Sequence, residues 1–453
     1  MVVPSPFGPA SVDSADLAVK TLGPARIDSP LGELLIQRQR SAHYVEESDR
    51  VLLDDTLSAV AGRNRPAGEL PAFEPAGPRS KIYFDPSKTR AGIVTCGGLC
   101  PGLNDVIRGL TMELCRRYGV QRVYGFCNGY EGFVARFHRP VLELTPETVS
   151  DINEHGGTIL GSSRGEQDPA AVVDCLERMG VSVLFVIGGD GTIRGAMGIV
   201  SEITARGNKM AVVGVPKTID NDIMFIDQSF GFQTAFAEAT SSIRAAHVES
   251  TGAPNGVGLV KLMGRHSGFI ACYSSLAMSD ANFVLIPEVP FKLEGESGLL
   301  NVLKWRLEKR SHAVIVVAEG AGQDLMPEST GGVGGTDASG NKKLTDIGPW
   351  LRDRLIAHFK SIGMELNLKY IDPSYAIRSV PANPHDSVYC VRLAHNAVHA
   401  GMSGRTEMVV GKWHGRFVHV PMPLAIRQRN SVDPHGDLWM SVLEATGQPR
   451  AFG

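Results

Sequence analysis

The sequence predicts an α/β protein of two domains built on parallel-rich sheets, and three observations carry that reading. Short, largely apolar runs recur at 91–95, 183–187, 210–215, 257–262 and 313–318; strands buried on both faces look like this, whereas half-exposed strands alternate. Stretches of helical spacing separate several of these runs, the pattern of parallel strands joined by crossover helices. At 453 residues the chain also exceeds the roughly 250–300 residues at which single cores stop growing.

Residues 1 to about 88 stand apart, with scattered prolines such as Pro4, Pro24, Pro66 and Pro78 and little periodicity. Leu31-Gly32-Glu33-Leu34-Leu35-Ile36 and Val51-Leu52-Leu53 favour an arm docked on a partner subunit over a flexible tail. Strand 91–95 leads through Gly97–Gly102 into a helix marked by Leu103, Val106, Ile107, Leu110 and Leu114, with Gly119 as its C-cap. Asp168 and Pro169 open the next helix as N-cap and first residue, and it runs through Val172, Val173 and Leu176 to Gly180. Strand 183–187, helix 194–206 and strand 210–215 continue the alternation, followed by a long helix at 230–250. Between Gly320 and Gly348 lies a polar stretch containing Gly331-Gly332-Val333-Gly334-Gly335. No apolar strand feeds it and Gly340-Asn341-Lys342 only approaches a P-loop ending, so it reads as a mobile surface loop. There is no internal repeat.

Composition excludes several classes. Lys plus Arg (45) nearly balance Asp plus Glu (48), so nothing points to nucleic acid or a charged membrane surface. No run approaches the ~18 apolar residues of a membrane span, and no secretory signal opens the chain. The seven cysteines are few and odd in number; Cys96 and Cys100 lack partners for a metal cluster and read as reduced, buried thiols. A cytoplasmic protein is expected.

The chemistry lies in the turns. Gly97-Gly98-Leu99-Cys100-Pro101-Gly102, Gly161-Ser162-Ser163-Arg164-Gly165 and Gly188-Gly189-Asp190-Gly191-Thr192 each leave an expected strand end. In open α/β sheets ligands bind outside the carboxyl ends of strands, where glycine admits phosphate close to the backbone and helix N-termini offer unpaired N–H groups. Pro216-Lys217-Thr218-Ile219-Asp220-Asn221-Asp222 follows strand 210–215. Asp190 and Asp222 suit Mg²⁺, a hard cation that takes oxygen ligands. A carboxylate placed to take a proton from a hydroxyl is what alcohol-to-phosphate transfer requires, and guanidinium groups such as Arg164 and Arg265 suit the charge of the moving group. One aspartate alone would read as a cap or turn former. The set reads as a phosphotransferase.

These motifs, with Met263-Gly264-Arg265-His266-Ser267-Gly268, Pro287-Glu288, Ala318-Glu319-Gly320 and Tyr370-Ile371-Asp372-Pro373-Ser374-Tyr375, resemble the 6-phosphofructokinase family over roughly 88–425. The likeness is to the long-chain branch with plant and trypanosomatid ATP-using enzymes. It implies two Rossmann-like three-layer domains with the active site in the cleft between them: a nucleotide domain of 88–231 with 377–425, and a fructose 6-phosphate domain of 232–376 with 426–453, beside the 1–87 extension. It implies Asp220 as base toward the sugar 1-hydroxyl, with Thr218, Arg164 and Arg265 on the transferring group. Gly97, Gly98, Gly189, Gly191, Thr192 and Lys217 would serve the ATP phosphates, and Asp190 the Mg²⁺, with Asp222 near metal and sugar. Met263, Gly264, Glu319, Tyr375 and Arg378 would line the sugar pocket, and Lys369 stands where the short bacterial enzymes have a sugar-binding arginine reaching in from a neighbouring subunit. A homotetramer is expected, with a dimer as the alternative.

Two departures from the short ATP enzymes matter. No arginine stands between Arg244 and Arg265, and Lys217 replaces a glycine, as it does in pyrophosphate-using relatives. Those relatives carry aspartate at position 191, whose charge would oppose the α-phosphate of ATP; Gly191 leaves room, so ATP is the expected donor and pyrophosphate the alternative. Lipid and NAD kinases share Gly-Gly-Asp-Gly-Thr but not the sugar-side motifs. A non-catalytic sensor on this fold is a further alternative, opposed by the presence of all three aspartates. A nicotinamide oxidoreductase lacks its glycine spacing.

Overall fold

The computed structural model describes residues 12–32, 44–61, 70–326 and 343–453. It comprises two compact units. Unit one holds the described residues up to Lys217, with Ile223–Phe230 and Pro384–Gln428; unit two holds Thr218–Asp222, Gly231–Asn383 and Arg429–Gly453. This division differs from the expected boundaries at 231 and 425. The reason is hydrogen bonding within unit two: Arg429 Nη1 donates to Asp222 Oδ2 at 2.6 Å, Asn430 N to Asp222 O at 2.9 Å, and Ser267 Oγ to Asp220 O at 2.8 Å.

Unit one carries a sheet of nine strands among the described residues. Arg122–Phe126, Arg90–Thr95, Val183–Gly188, Ala211–Pro216 and Met408–Trp413 are neighbours in that order and all parallel. The alternation of side chains assigns the two faces. Leu184 and Val186 join Val172, Leu176, Ile193 and Ile199 in one core, while Val183 and Phe185 face Gly401 of the helix Pro384–Met402. Helices therefore cover both faces, as the apolar runs required.

The helices keep most expected limits. Asp168 caps Pro169–Met179 by accepting from Ala170 N, and Gly180 ends it. The helix expected at 194–206 begins earlier, as Asp190–Ala205, because Gly189 is its N-cap. Leu103–Met112 passes into a π-helical turn, Glu113–Tyr118, before Gly119. The antiparallel edges, including the hairpin Met408–Trp413 with Arg416–Pro421, had no expectation from sequence.

Unit two is a four-stranded parallel sheet in the order Phe283–Leu285, His312–Ala318, Gly256–Leu262, Asn367–Ile371. Val257, Leu259, Ile315 and Val317 pack with Leu299, Leu303, Leu351 and Phe359 on one face; Gly258 meets Ala246 of the helix Phe232–Thr251 on the other. The glycine run at 331–335 lies outside the described residues.

Part of the N-terminal segment docks on the chain itself. Ala72–Pro75 extends the first sheet antiparallel to Arg416–Pro421, and Val51–Leu52 adds antiparallel to Ala72–Pro75. An ionic cluster secures the edge: Glu74 Oε1 meets Arg79 at 2.9 Å, Arg405 at 2.9 Å and His419 at 3.1 Å. Burial raises the Glu74 pKa, but His419, Arg405 and Arg79 outweigh it and hold the carboxyl at about 2, against an ordinary 4.5. A group depressed in the folded state stabilises the fold above its unfolded value and loses that contribution as pH falls through the folded one. Glu74→Gln is therefore expected to cost about 3–5 kcal/mol at neutral pH. Calorimetry across pH should find that cost shrinking as pH drops from 4.5 towards 2.

Candidate active site

The donor-side residues gather in unit one, where parallel register brings strand ends level. Pro216 pairs with Gly188, and Lys217 N donates to Gly188 O at 3.0 Å. Lys217 is buried, and its Nζ donates to Gly98 O at 2.6 Å. A second set of bonds joins the first two glycine turns: Gly97 N donates to Ser163 O at 3.0 Å, Ser162 Oγ to Gly97 O at 2.6 Å, and Thr95 Oγ1 to Gly161 O at 2.6 Å. Gly97, Gly98, Lys217 and the turn bearing Arg164 thus form one hydrogen-bonded group, with Arg164 itself exposed.

Asp190, Gly191 and Thr192 occupy the first turn of a helix, where unpaired N–H groups and the dipole favour an anion. Asp190 is largely covered and lies 3.9 Å from Arg194; Gly191 is exposed. Thr192 is buried against Gly188, where any Cβ would collide with it, while Tyr130 OH donates to Thr192 O at 2.6 Å. Cys96 and Cys100 are buried, Cys100 Sγ donating to Phe230 O at 3.2 Å, and burial pushes the Cys96 thiol up to about 12. Both are packing residues, as expected.

The acceptor-side residues gather in unit two. Thr218 Oγ1 donates to Asp222 Oδ1 at 2.9 Å and accepts from Asp220 N at 3.1 Å. Arg429 takes the other Asp222 oxygen. Both oxygens of this buried carboxylate carry a hydrogen bond, and Asp222 buttresses Thr218.

Asp220 differs from its neighbour. Its Oδ1 is buried and has no hydrogen-bond partner. Burial foremost, then the Asp222 and Glu319 carboxylates, hold Asp220 well above the usual carboxylate range, against the opposing Arg265 amide and Arg429 guanidinium. A carboxylate held up in this way is a better proton acceptor than an ordinary aspartate. Glu319 is also raised, by burial first, with Arg265, Lys261 and Arg378 pulling it down.

Met263, Gly264 and Arg265 follow the strand Gly256–Leu262, and Glu319 follows His312–Ala318; Leu262 and Ala318 are paired, so these residues leave adjacent strand ends. Glu319 N donates to Leu262 O at 2.9 Å and Gly320 N to Gly264 O at 3.1 Å, which locks the two turns. Arg378 lies over the Tyr375 ring at 4.6 Å, with Tyr375 largely exposed. Lys369, expected to reach a neighbouring subunit, is exposed within the edge strand and pairs with Gly258.

Sequence reading missed three contributors. Arg429 followed the last expected strand in a segment without apparent function. Lys261 was read as part of an apolar run, although a lysine inside such a run is itself a signal. Glu288, noted only as a motif, accepts from Gly268 N at 2.9 Å and Val432 N at 2.7 Å, and so holds the start of the helix Phe269–Met278. Among the described residues no three His, Cys, Asp or Glu side chains form a metal cluster.

A family profile described as Phosphofructokinase matches residues 90–401. The chain belongs to the phosphofructokinase family. It is 58% identical to an ATP-dependent 6-phosphofructokinase of Amycolatopsis methanolica over 97% of this chain and 96% of that protein. It is 47% identical to the ATP-dependent 6-phosphofructokinase of Trypanosoma brucei brucei, over 96% and 88%. Among solved structures, a pyrophosphate-dependent phosphofructokinase of Nitrosospira multiformis aligns with a TM-score of 0.65 at 17% identity, over 81% of this chain and 93% of that one. Pichia pastoris phosphofructokinase aligns at 0.61 and 21% identity; the 81% of this chain that aligns spans 40% of that one. At these identities the structures establish the family fold alone, which is the two-unit parallel α/β architecture described above.

Within this family fold, Gly264 is the most constrained position at the sugar-side turn. Its φ of +130° is one that side chains rarely adopt, and a Cβ there would collide with the Ser267 carbonyl oxygen. Gly264→Ala should cost roughly 1–3 kcal/mol, measurable by urea unfolding of the purified protein.

Proposed function

We propose that this chain transfers the γ-phosphate of ATP to the 1-hydroxyl of fructose 6-phosphate, giving fructose 1,6-bisphosphate and ADP, as an ATP-dependent 6-phosphofructokinase of glycolysis. The observation that carries the mechanism is the buried, unpartnered Oδ1 of Asp220 among acidic neighbours. That oxygen takes the proton of the 1-hydroxyl. O1 forms its bond to the γ-phosphorus, the bond from that phosphorus to the bridging oxygen breaks, and ADP departs. Arg265 stands beside Asp220 and Glu319, where its charge suits the transferring group; Arg164 serves the donor side.

The donor phosphates lie on the Gly97–Gly98 turn and the helix start at Asp190, with Lys217 bracing the turn. Asp190 would hold Mg²⁺, with Asp222 near metal and sugar, and the ion would supply the charge neutralisation that phosphoryl transfer requires. Glu319 accepts from sugar hydroxyls and Arg378 holds the 6-phosphate, with Met263, Gly264 and Tyr375 around them. Gly191 favours ATP over pyrophosphate, since it adds no charge where the α-phosphate would lie. No helix of the described residues is long and apolar enough to cross a membrane, and all seven cysteines are free, which supports action in the cytoplasm.

Assay of fructose 6-phosphate phosphorylation with Mg²⁺ should show turnover with ATP and none with pyrophosphate. Asp220→Asn should lower kcat by at least about 10²-fold, the usual scale of a general base, with nucleotide still bound. Turnover with pyrophosphate would reverse the donor assignment, and absence of both activities in folded protein would favour a sensor. The assembly is expected to be a homotetramer, and sedimentation equilibrium should return four times the chain mass of 48.6 kDa.

A further inference from the structure

Lys261 is out of place by composition. It lies in Gly256–Leu262, a strand whose residues are all buried, and its own side chain is 10% exposed. Burying an ammonium is costly unless it is paired, and an apolar side chain of similar volume would hold such a strand equally well or better. The pairing is specific. Nζ lies 2.7 Å from Asp372 Oδ2 and 3.1 Å from Asp346 Oδ1.

Each carboxylate opens a segment. Asp372 follows the strand Asn367–Ile371 and accepts from Ser374 N at 3.1 Å and from the Ser374 hydroxyl, which shapes the turn leading to Tyr375 and Arg378. Asp346 caps the helix Ile347–Ser361 by accepting from Gly348 N at 3.2 Å. Two residues beyond Lys261 on its own strand come Met263, Gly264 and Arg265. Its charge also reaches Glu319 at the neighbouring strand end. One ammonium therefore joins the strand bearing Met263–Arg265 to the turn bearing Tyr375 and Arg378.

We propose that Lys261, through Asp372, is a positioning residue for the sugar phosphate: it sets the distance between the Met263–Arg265 turn and the Arg378 guanidinium. The inference rests on the assignment of fructose 6-phosphate as acceptor. Lys261 touches neither reacting atom; what its loss releases is the Asp372 turn that carries Tyr375 and Arg378, while Arg265 still follows its own strand. Arg378 binds the 6-phosphate alike in substrate and transition state, and loss of uniform binding raises KM without lowering kcat.

The test uses the full chain with Lys261→Met, Asp372→Asn and Lys261→Arg. Lys261→Met and Asp372→Asn should each raise the KM for fructose 6-phosphate roughly tenfold or more, as expected when a binding group shifts by a fraction of an ångström to an ångström. The kcat and the KM for ATP should stay within about twofold of wild type. The double variant should be no worse than the poorer single one, because the two residues act as one unit. Lys261→Arg should recover part of the sugar affinity. Asp372→Asn keeps the size of a half-exposed side chain, so it remains informative if Lys261→Met fails to fold. An unchanged KM for fructose 6-phosphate in folded variants, or equal changes in both KM values and kcat, would overturn the proposal. A wild-type protein that phosphorylates no fructose 6-phosphate overturns the acceptor assignment and this inference together, whereas an active wild type with indifferent variants sinks the positioning role alone.

Discussion

Everything at the donor side depends on one parallel register. Ala211–Pro216 pairs residue for residue with Val183–Gly188, so Pro216 and Gly188 end level. That places the amide of Lys217 on Gly188 and its ammonium on the Gly98 carbonyl. A shift of one residue would turn every side chain to the other face and break both contacts. Such a register is affordable only because helices bury both faces of the sheet, leaving the backbone amides at the strand ends as the polar groups still available to a ligand.

The acceptor side is organised by charge. Asp220 and Asp222 stand two residues apart, yet they have opposite surroundings. Asp222 is satisfied by Thr218 and Arg429; Asp220 keeps one oxygen buried without a partner. The same sequence motif thus yields one carboxylate neutralised by its partners and one held well above the usual carboxylate range. Arg429 is what separates them, since without its guanidinium both carboxylates would face each other uncompensated. The ionic groups in unit two, Arg429 with Asp222 and Lys261 with Asp346 and Asp372, lie at segment ends, where a hydrogen-bonded charge fixes direction more sharply than apolar packing does.

Glycines here do two separate jobs. Gly188 serves packing, because Thr192 fills the space a side chain would need. Gly264 serves conformation. Read from the sequence, both are simply members of ligand turns, and the difference between them matters when substitutions are interpreted. Thr192 shows the same point from the other side, as a motif residue whose hydroxyl belongs to the protein interior.

Much was legible in the sequence. Apolar runs of fixed length announced the buried parallel strands, Asp168-Pro169 and Gly180 bounded a helix, and the glycine and aspartate motifs marked the functional turns and the family. These are local signals, set by backbone preference and side-chain period. What only the tertiary structure decided were relations between distant segments. The antiparallel edge made by residues 51–52, 72–75 and 416–421, the Arg429 contact to Asp222 and the Lys261 pairs all join residues far apart in the chain. Local propensity contains no term for such contacts. They arise because a buried charge must find its partner wherever the fold delivers one.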